Sequence, residues 1–387
     1  MANIKKSLAW NLEQFDKILG KGPDIVLRRF LVGGKKPAAL IFIDGLVNKI
    51  AVSDYIILPL MLADEEKGLE MEVLKEEVIG VGGISSENDE NKLIDAVLAG
   101  TAVFLLDGCN EGLILDIVQW EKRSISEPDT DVVVRGPREG FIETLRINLS
   151  LLRRKIHHPA LTFEMMKIGR YSKTDICLVY IKGVVNEGIL VELKERLSGI
   201  KIDGILESGY IEELIEDSPF SLFPTVGSTE KPDIVAGKIL EGRVAILVDG
   251  TPMALTVPML FIEGFQCSED YYSRFYQVSM IRILRYLAFF VNIFLPGIYV
   301  SLTTYHQQLI PVKLLLTMAA AEENTPFSVG FSLLLMGFAY EILREAGVRM
   351  PRPMGQAVSI VGAIVMGDAA VSAGLISAPV LIVVALT

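Results

Sequence analysis

Residues 286–304 read YLAFFVNIFLPGIYVSLTT, a stretch of 19 residues in which no side chain carries a charge. A helix of this length, at a rise of ~1.5 Å per residue, spans roughly 28 Å, about the thickness of the hydrocarbon core of a bilayer. The stretch therefore predicts a membrane-spanning helix. Pro296 and Gly297 stand in its middle. Because proline leaves a carbonyl unpaired and kinks a helix, the pair is a candidate hinge, with an ordinary packing kink as the alternative.

The chain is rich in charge before this stretch and nearly free of charge from it onward. Of 37 basic and 48 acidic residues, only four basic and five acidic ones lie in residues 286–387. The mean hydropathy of +0.42 is high for a soluble protein. This asymmetry predicts a soluble head joined to a membrane domain. The head is acidic, which argues against nucleic acid as a partner because phosphate neutralisation needs a basic face.

The cysteines and the N-terminus indicate where the head resides. Cys109, Cys177 and Cys267 are far apart and form no CxxC pair, which fits a reducing compartment and gives no metal signature. The first twenty residues contain no continuous apolar stretch of signal-peptide length. We therefore expect the head to stay in the cytoplasm.

Apolar strand-like runs alternate with helical stretches in the head, which predicts α/β units. Residues 38–43, 102–106 and 113–118 are predicted strands. Residues 87–98 are a predicted helix with one apolar face, which Ser85 or Ser86 could cap.

The second half of the head repeats the first. IDGLVN at 43–48 resembles IKGVVN at 181–186, and GTAVFLLDG at 100–108 resembles GRVAILVDG at 242–250. The nearly constant offset predicts two related α/β subdomains. Their joint is expected at VRGPREG, residues 134–140, before a predicted helix at 141–156. The domain boundaries expected from the sequence are 1–140 and 141–275 for the two subdomains of the head and 276–387 for the membrane domain.

The head offers few candidates for chemistry. GVGG at 80–83 lacks the lysine of a phosphate-binding loop and is typical of a turn that enters a helix. Asp44, Asp107 and Asp249 each precede a glycine, a pair typical of tight turns after strands. The histidines at 157–158 have no ligand partner at metal-binding spacing. We therefore predict no catalytic residue, no cofactor, no metal and no enzymatic activity. Basic runs, such as RRK at 153–155, are typical of solvated helix faces or turns.

Further apolar segments follow the first predicted span. Residues 327–340 are short for a span, and 308–321 are semi-apolar and either re-entrant or interfacial. Residues 355–375 are long enough to cross a bilayer and hold one acid, Asp368. Another apolar segment opens at 376–387, and no polar exit follows it. We therefore expect a membrane domain that is truncated at its C-terminus.

A stripe of small residues marks the segment 355–375. Gly355, Ser359, Ala363 and Gly367 recur every four residues and would share one face of a helix, where small side chains permit close backbone approach in lipid. The stripe packs either against another helix of the same chain or around a pore in a homo-oligomer. Asp368 beside it favours the pore, because intramembrane carboxylates usually face a cavity or a partner.

Orientation follows from the basic residues that flank the predicted spans. Three precede the first span, one lies in the following loop, and three follow the second span: Arg274, Arg282 and Arg285, then Lys313, then Arg344, Arg349 and Arg352. This pattern places the head on the cytoplasmic side.

Several motifs together resemble those of the GerA family of spore germination proteins, typified by the A subunit of a spore germinant receptor. They are VRGPREGF at 134–141, SGYIEELI at 208–215, LVDGTP at 247–252, EDYY at 269–272, LPGIYV at 295–300, YHQ at 305–307 and PMGQAVSIVG at 353–362. The resemblance covers roughly residues 30–387 and rests on the set of motifs rather than on any single one.

The resemblance implies a two-lobed cytoplasmic α/β head and a helical membrane domain in the spore inner membrane. It implies a transporter-like B subunit that binds the nutrient germinant, and a lipoprotein C subunit. It also implies that A subunits form homo-oligomers in the lipid, which act as ligand-gated channels for monovalent cations. Family members continue through at least one more membrane segment and a polar tail.

Three alternatives stay open. One is the paralogue associated with the stage V dipicolinate channel, against which EDYY at 269–272 favours the receptor subunit. The second is a membrane-anchored α/β enzyme, which a dense cluster of titratable residues in one cleft of the head would support. The third is a secondary transporter, which the large head and the few spans disfavour.

Overall fold

The computed structural model of the protein describes residues 3–20, 22–64, 69–119, 133, 135–323, 325–349, 362 and 364–387. The chain divides into two compact units, Met1–Ser273 and Arg274–Thr387. All ten strands found among the described residues belong to the first unit, and the second unit is helical.

The first unit contains two five-stranded sheets of the same strand order. The first sheet, in the order β1-β2-β4-β5-β3, comprises β1 (Ile25–Val32), β2 (Lys36–Ile43), β3 (Ile84–Glu87), β4 (Ala102–Leu106) and β5 (Gly112–Leu115). The second sheet, in the order β6-β7-β9-β10-β8, comprises β6 (Leu161–Ile168), β7 (Thr174–Ile181), β8 (Gly227–Thr229), β9 (Val244–Val248) and β10 (Ala254–Val257). Every neighbouring pair is antiparallel. The expected α/β head is therefore present. The predicted strands at 38–43 and 102–106 fall on β2 and β4, and the one at 113–118 overlaps β5, which ends at Leu115.

Helices cover both faces of each sheet. Those of the first unit are α1 (Leu8–Leu19), α2 (Lys49–Ala51), α3 (Leu58–Met61), α4 (Met71–Val73), α5 (Glu90–Leu98), α6 (Leu145–Lys155), α7 (Glu187–Gly199), α8 (Gly209–Ile215) and α9 (Pro232–Leu240). Two π-helical stretches, Val52–Ile57 and Leu74–Val78, and two 3₁₀ turns, Phe261–Phe265 and Ser268–Tyr271, complete them.

The central strands are continuously apolar because both of their faces are buried. In β2, Ala39 and Ile41 pack on the side of α1 and α5, whereas Leu40 and Phe42 pack on the side of residues 52–79. The same division in the second sheet puts α6 and α9 on one face and α7 and α8 on the other. Successive side chains of a strand point to opposite faces, so each run builds two cores at once.

Two local predictions in the first lobe are wrong. Helix α5 begins at Glu90 and is capped by Asp89, whose Oδ1 accepts from the Asn91 N–H at 3.0 Å. Ser85 and Ser86 lie instead in β3, which pairs with β5 at the edge of the sheet. The GVGG turn at 80–83 therefore enters a strand and not a helix.

The helix expected at 141–156 is shorter than predicted. The N–H of Phe141 donates to the carbonyl of Glu230 at 2.7 Å, and the N–H of Ile142 donates to Asn148 Oδ1 at 2.9 Å. These bonds hold the first residues in a loop, so α6 begins only at Leu145. Val134 of the predicted joint lies outside the described residues.

The second unit is made of helices around a small apolar core. Its helices are α10 (Phe275–Thr304), α11 (Val312–Glu322), α12 (Val329–Arg349) and α13 (Ala378–Leu386), with a 3₁₀ turn at Gln307–Leu309 and helical residues at 364–372. Among the described residues α10 is the one helix that is long and apolar enough to cross a membrane, with a mean hydropathy of 1.7 and no buried residue in its most apolar window. It contains the predicted span 286–304 and starts before it.

The other predicted segments fall on helices only in part. Residues 327–340 belong mostly to α12, and 308–321 belong mostly to α11. Of the segment 355–375, residues 355–361 and 363 lie outside the described residues.

Candidate functional site

The candidate residues of the small-residue stripe are described only in part. Gly355, Ser359 and Ala363 lie outside the described residues. Gly367 is buried, and a Cβ added to it would lie 3.1 Å from Leu381 Cδ2 on α13 of the same chain. Asp368, the next residue, is exposed.

The candidate hinge lies inside an unbroken helix. Pro296 is an interior residue of α10, and Gly297 follows it with no other group within 4 Å of the position of a Cβ. The hinge assignment therefore remains a prediction from the sequence.

Two of the three Asp-Gly acids directly follow a strand, and each accepts a hydrogen bond from the first N–H group of a helix. Asp107 Oδ1 accepts from the Leu8 N–H at 2.9 Å, and Asp249 Oδ1 accepts from the Leu145 N–H at 3.0 Å. The first N–H groups of a helix have no partner within it, and an acidic side chain there also complements the helix dipole. These carboxylates are therefore used in capping α1 and α6.

The third acid, Asp44, belongs to the contact between the two lobes. Its Oδ1 lies 2.7 Å from Lys49 Nζ, and its Oδ2 lies 3.2 Å from Arg146 Nη1 on α6 of the second lobe. Beside it, Gly45 approaches α6 so closely that an added Cβ would lie 3.1 Å from Ser150 Cβ.

A buried ion pair joins the lobes behind this contact. Arg153 on α6 places Nε 2.9 Å and Nη2 2.8 Å from Asp24 Oδ2, at the start of the first sheet. Only 2% and 5% of the two side chains are exposed. The expectation that the run 153–155 forms a solvated face is wrong for Arg153, because its position on α6 faces the lobe contact.

The connecting segment (residues 258–273) leads from β10 to the first residue of the second unit. Glu263 within it forms ion pairs with Arg243 and, at 3.3 Å, with Lys238 of α9. Burial lowers the pKa of the Lys238 ammonium below its usual range, and the Glu263 carboxylate offsets part of that shift. The segment is thus tied to the second lobe by partly buried charges.

A second anchor lies near the end of the connecting segment. The Tyr272 hydroxyl donates to Asp233 Oδ2 at 2.6 Å, and burial together with this carboxylate raises the pKa of the Tyr272 phenol. Lys231 Nζ, fully buried, lies 3.5 Å from the same Asp233 oxygen and 3.4 Å from Ser268 Oγ.

The joint between the lobes meets the connecting segment at this anchor. The backbone N–H of Arg135 donates to Glu269 Oε1 at 3.1 Å. A Cβ added to Gly136 would lie 3.0 Å from the ring of Tyr272. Two of the sequence motifs, VRGPREGF and EDYY, are therefore in direct contact.

Two further motifs, SGYIEELI and LVDGTP, meet at Glu207. Its Oε1 accepts from the hydroxyls of Ser208 and Thr251, the latter at 3.1 Å, and its Oε2 accepts from the Gly209 N–H at 2.6 Å. Burial alone raises the pKa of Glu207, but these donors lower it below the usual range. The carboxylate is held by hydrogen bonds and organises the start of α8.

The described part of the head contains no group of three or more His, Cys, Asp and Glu side chains that could hold a metal ion. Cys177 is fully buried, and burial raises the pKa of its thiol. A cavity of about 710 Å³ is an open depression beside β6 and α7, lined by Lys167, Arg170, Lys201 and Asp203 among others. The main structural feature of the head is its set of connections. Buried charges join the two lobes, and the connecting segment is attached to the second lobe.

The protein thus combines a two-lobed α/β head with a long apolar helix, the architecture expected of a membrane-attached α/β protein. The sequence model of the GerA family, described as Bacillus/Clostridium GerA spore germination protein, matches residues 13–387. The chain therefore belongs to the GerA family of spore germination proteins, which confirms the resemblance found in its motifs.

Particular relatives support this assignment. Spore germination protein KA of Bacillus subtilis (strain 168) is 47% identical over 99% of this chain and 71% of its own length. Spore germination protein B1 of the same organism is 39% identical, covering 99% of this chain and 80% of the relative. The N-terminal domain of the A subunit of the Bacillus megaterium spore germinant receptor GerK3 is 37% identical, with a TM-score of 0.54, over 67% of this chain and 98% of that domain.

Proposed function

We propose that this chain is the A subunit of a nutrient germinant receptor in the spore inner membrane, and that it relays germinant binding to the release of ions. The observation that carries the relay is the connecting segment. Glu263 and Tyr272 tie it to the second lobe, and the chain then continues from Ser273 into α10. A displacement of the start of α10 is therefore transmitted to the head through covalent bonds and buried charges.

The relay works because the head resists deformation. The Asp24–Arg153 ion pair joins the lobes, so a force on the second lobe also reaches the first. The proposed partners are a transporter-like B subunit, which binds the nutrient, a lipoprotein C subunit, further copies of the A subunit and the surrounding lipid. The proposed output is a ligand-gated channel for monovalent cations. The head acts without catalysis of its own, and Asp107 and Asp249 serve as helix caps.

The proposed domain limits are 1–140, 141–275 and 276–387, with several passes through the membrane and the head in the cytoplasm. The basic residues around the spans support this orientation. In a variant without its three native cysteines, a single cysteine at position 201 is expected to resist membrane-impermeant thiol reagents in sealed right-side-out vesicles. Rapid labelling of that cysteine would show that the head faces outward.

The receptor function is tested by genetics. In a strain that lacks this gene and its paralogues, restoring the gene with its B and C partners is expected to restore cation release on at least one nutrient of a broad panel. Restored protein without a response to any nutrient would refute the proposal.

The relay is tested by Glu263→Gln in the same strain. This change removes the charge shared by Arg243 and Lys238, so we expect wild-type protein levels with slower nutrient-triggered cation release. Glu241→Gln is the matched control, because Glu241 is 58% exposed and lies 3.7 Å from Arg243. If both variants release cations at the same rate, the connecting segment is not the relay.

A further inference from the structure

A pocket lined by polar side chains lies within the second unit, among the ends of its helices. It measures about 320 Å³ and is formed where α10 and α11 end and where α12 and α13 begin. We call it the hydroxyl pocket. The residues that carry the argument are Thr303, Glu322, Thr325, Ser332 and Ser377.

The hydroxyl pocket is built from buried groups. Thr303, Ser332 and Ser377 are 8%, 2% and 4% exposed. Ser377 Oγ is buried and has no hydrogen-bond partner among the described residues, and it does not cap α13, although Ser377 precedes that helix. Leaving a buried hydroxyl unpaired costs ~1–3 kcal/mol, so Ser377 Oγ offers a place for a water or a ligand that the described residues do not fill.

Three hydroxyls at or next to the pocket, those of Thr303, Thr325 and Tyr299, donate their protons to groups of the protein. Thr303 Oγ1 donates to the Tyr299 carbonyl at 2.9 Å, and Thr325 Oγ1 donates to the Glu322 carbonyl at 2.9 Å. The Tyr299 hydroxyl donates to Glu322 Oε1 at 3.5 Å. A hydroxyl has one proton and two lone pairs, and a carboxylate has lone pairs only. These groups can therefore offer lone pairs to the pocket, which is the character of a cation site.

The charge of the pocket points the same way. Among the described residues of its lining, Glu322 is the one acidic residue and none is basic. A carboxylate that is partly withdrawn from water without a counter-charge is costly, and a bound cation of one charge would neutralise it. Oxygen ligands suit hard cations. A divalent ion would leave a positive excess on this single carboxylate, and no group of three or more His, Cys, Asp and Glu side chains that could hold a metal ion is present among the described residues.

We propose that the hydroxyl pocket binds one alkali cation, Na⁺ or K⁺, on the Glu322 carboxylate and the surrounding hydroxyl oxygens. The site lies within a single chain and needs neither a germinant nor a second copy. It therefore goes beyond the receptor function and does not depend on it.

A competing explanation assigns Glu322 to the helix ends. The N-termini of α12 and α13 border the pocket, and a carboxylate is stabilised by the partial positive charge of a helix N-terminus. In that case the protein itself stabilises the charge of Glu322, and no bound cation is needed. The two explanations differ in whether the alkali cation matters.

The test uses the purified full chain in lipid nanodiscs, with N-methylglucamine chloride holding the ionic strength constant. Equilibrium binding of ²²Na⁺ and of ⁸⁶Rb⁺, the latter as a K⁺ substitute, separates the two ions. We expect saturable binding of about one cation per chain, a tenfold or greater loss of affinity in Glu322→Gln, and a smaller loss in Ser377→Ala. The matched control is Glu323→Gln, which removes the exposed neighbouring carboxylate and is expected to bind as the wild type does.

Each outcome decides the proposal. Absence of saturable binding to the wild type, or equal affinity of Glu322→Gln and wild type, overturns it and leaves Glu322 to the helix ends. If Glu322→Gln fails to fold, Ser377→Ala decides, and wild-type affinity in that variant overturns the proposal as well. No germinant or partner subunit is present in the assay, so its failure leaves the receptor function untouched.

Discussion

Arg153 and Asp24 form a buried ion pair between the two lobes of the head, with Arg153 Nη2 2.8 Å from Asp24 Oδ2. The guanidinium also donates from Nη1 to the carbonyl of Leu161 at 3.3 Å and lies over the ring of Phe163, 4.6 Å from its centroid. The arginine is thus satisfied by its own lobe and by the other lobe at once. The contact between the lobes therefore contains a salt bridge that is buried from water.

Arg153→Met is expected to destabilise the head by about 3–5 kcal/mol, because it leaves the Asp24 carboxylate buried without its counter-charge. Denaturant unfolding of the full chain in detergent, followed by tryptophan fluorescence, measures the shift of the midpoint. Arg146→Met is the control, since Arg146 is 81% exposed in its pair with Asp44. That change is expected to cost at most about 1 kcal/mol.

A paired replacement separates the charge from the packing. If the cost arises from the unpaired carboxylate, Asp24→Leu combined with Arg153→Met is expected to be more stable than Arg153→Met alone. A double variant that is less stable than the single one would show that the ion pair itself supplies the stability.

The Asp24–Arg153 ion pair could not be predicted from the sequence, although the strands near it could. The alternation of apolar runs predicted β2 and β4, because strands buried on both faces are continuously apolar. A run of three basic residues, however, is indistinguishable from a solvated face until the partner is known. Asp24 stands 129 residues before Arg153, and no local pattern connects them.

Gly45→Ala tests how tightly the lobes approach each other. Gly45 has a φ of 87°, and its Cβ would lie 3.1 Å from Ser150 Cβ. Its counterpart in the second lobe, Gly183, has a φ of 83° and open space around it. Both alanines pay the left-handed penalty of ~1–2 kcal/mol. We expect Gly45→Ala to cost at least about 1 kcal/mol more, because overpacking adds to it.

The measurement is the difference between the denaturant midpoints of the two alanine variants. Equal midpoints would mean that the lobe contact yields to a methyl group without cost. That result would also argue against the proposal that a rigid head takes part in the relay.

The internal repeat was visible in the sequence, but its structural basis was not. Asn11 binds both the N–H and the carbonyl of Lys5, at 2.9 and 2.6 Å, and Asn148 binds those of Ile142 at the same two distances. Both asparagines sit in the first helix of their lobe. The two asparagines stand 137 residues apart, as do Lys5 and Ile142, and a polar pair of this kind is not part of an apolar pattern. The antiparallel pairing was likewise unreadable, because it depends on long-range strand order.

Glu139→Gln is expected to destabilise the joint between the lobes in a pH-dependent way. Burial alone would raise the pKa of the Glu139 carboxyl, but Arg154 at 3.2 Å and Lys155 at 3.3 Å lower it below its usual range. A carboxyl with a lowered folded-state pKa adds stability above its unfolded-state pKa of ~4.3 and loses it as the pH falls through the folded value.

We therefore expect Glu139→Gln to be less stable than wild type at pH 7, by at most about 1 kcal/mol because the pair is partly exposed. The difference is expected to shrink below pH 4. Unfolding midpoints from pH 3 to pH 8 measure it. A difference that is constant over this range would show that the amide disturbs packing and that the ion pairs contribute nothing.

Of the small-residue stripe in the second unit, the structure describes Gly367. Gly367 lies against Leu381 of α13, so at least one end of the stripe packs within the chain. Asp368, next to it, is exposed. Gly355, Ser359 and Ala363 lie outside the described residues, so the contact between copies around the pore stays a prediction from the sequence.

Ala363→Leu is expected to abolish the homo-oligomer and nutrient-triggered cation release while leaving the head folded. A leucine in a stripe of small residues prevents the close backbone approach on which helix association in lipid depends. Ala369→Leu is the matched control, since Ala369 is an exposed alanine on the same segment and lies outside the stripe. Cross-linking in membranes measures the oligomer, and potassium efflux from spores measures the release. If oligomer and efflux both survive Ala363→Leu, the stripe serves packing within one chain and the pore must be lined by another segment.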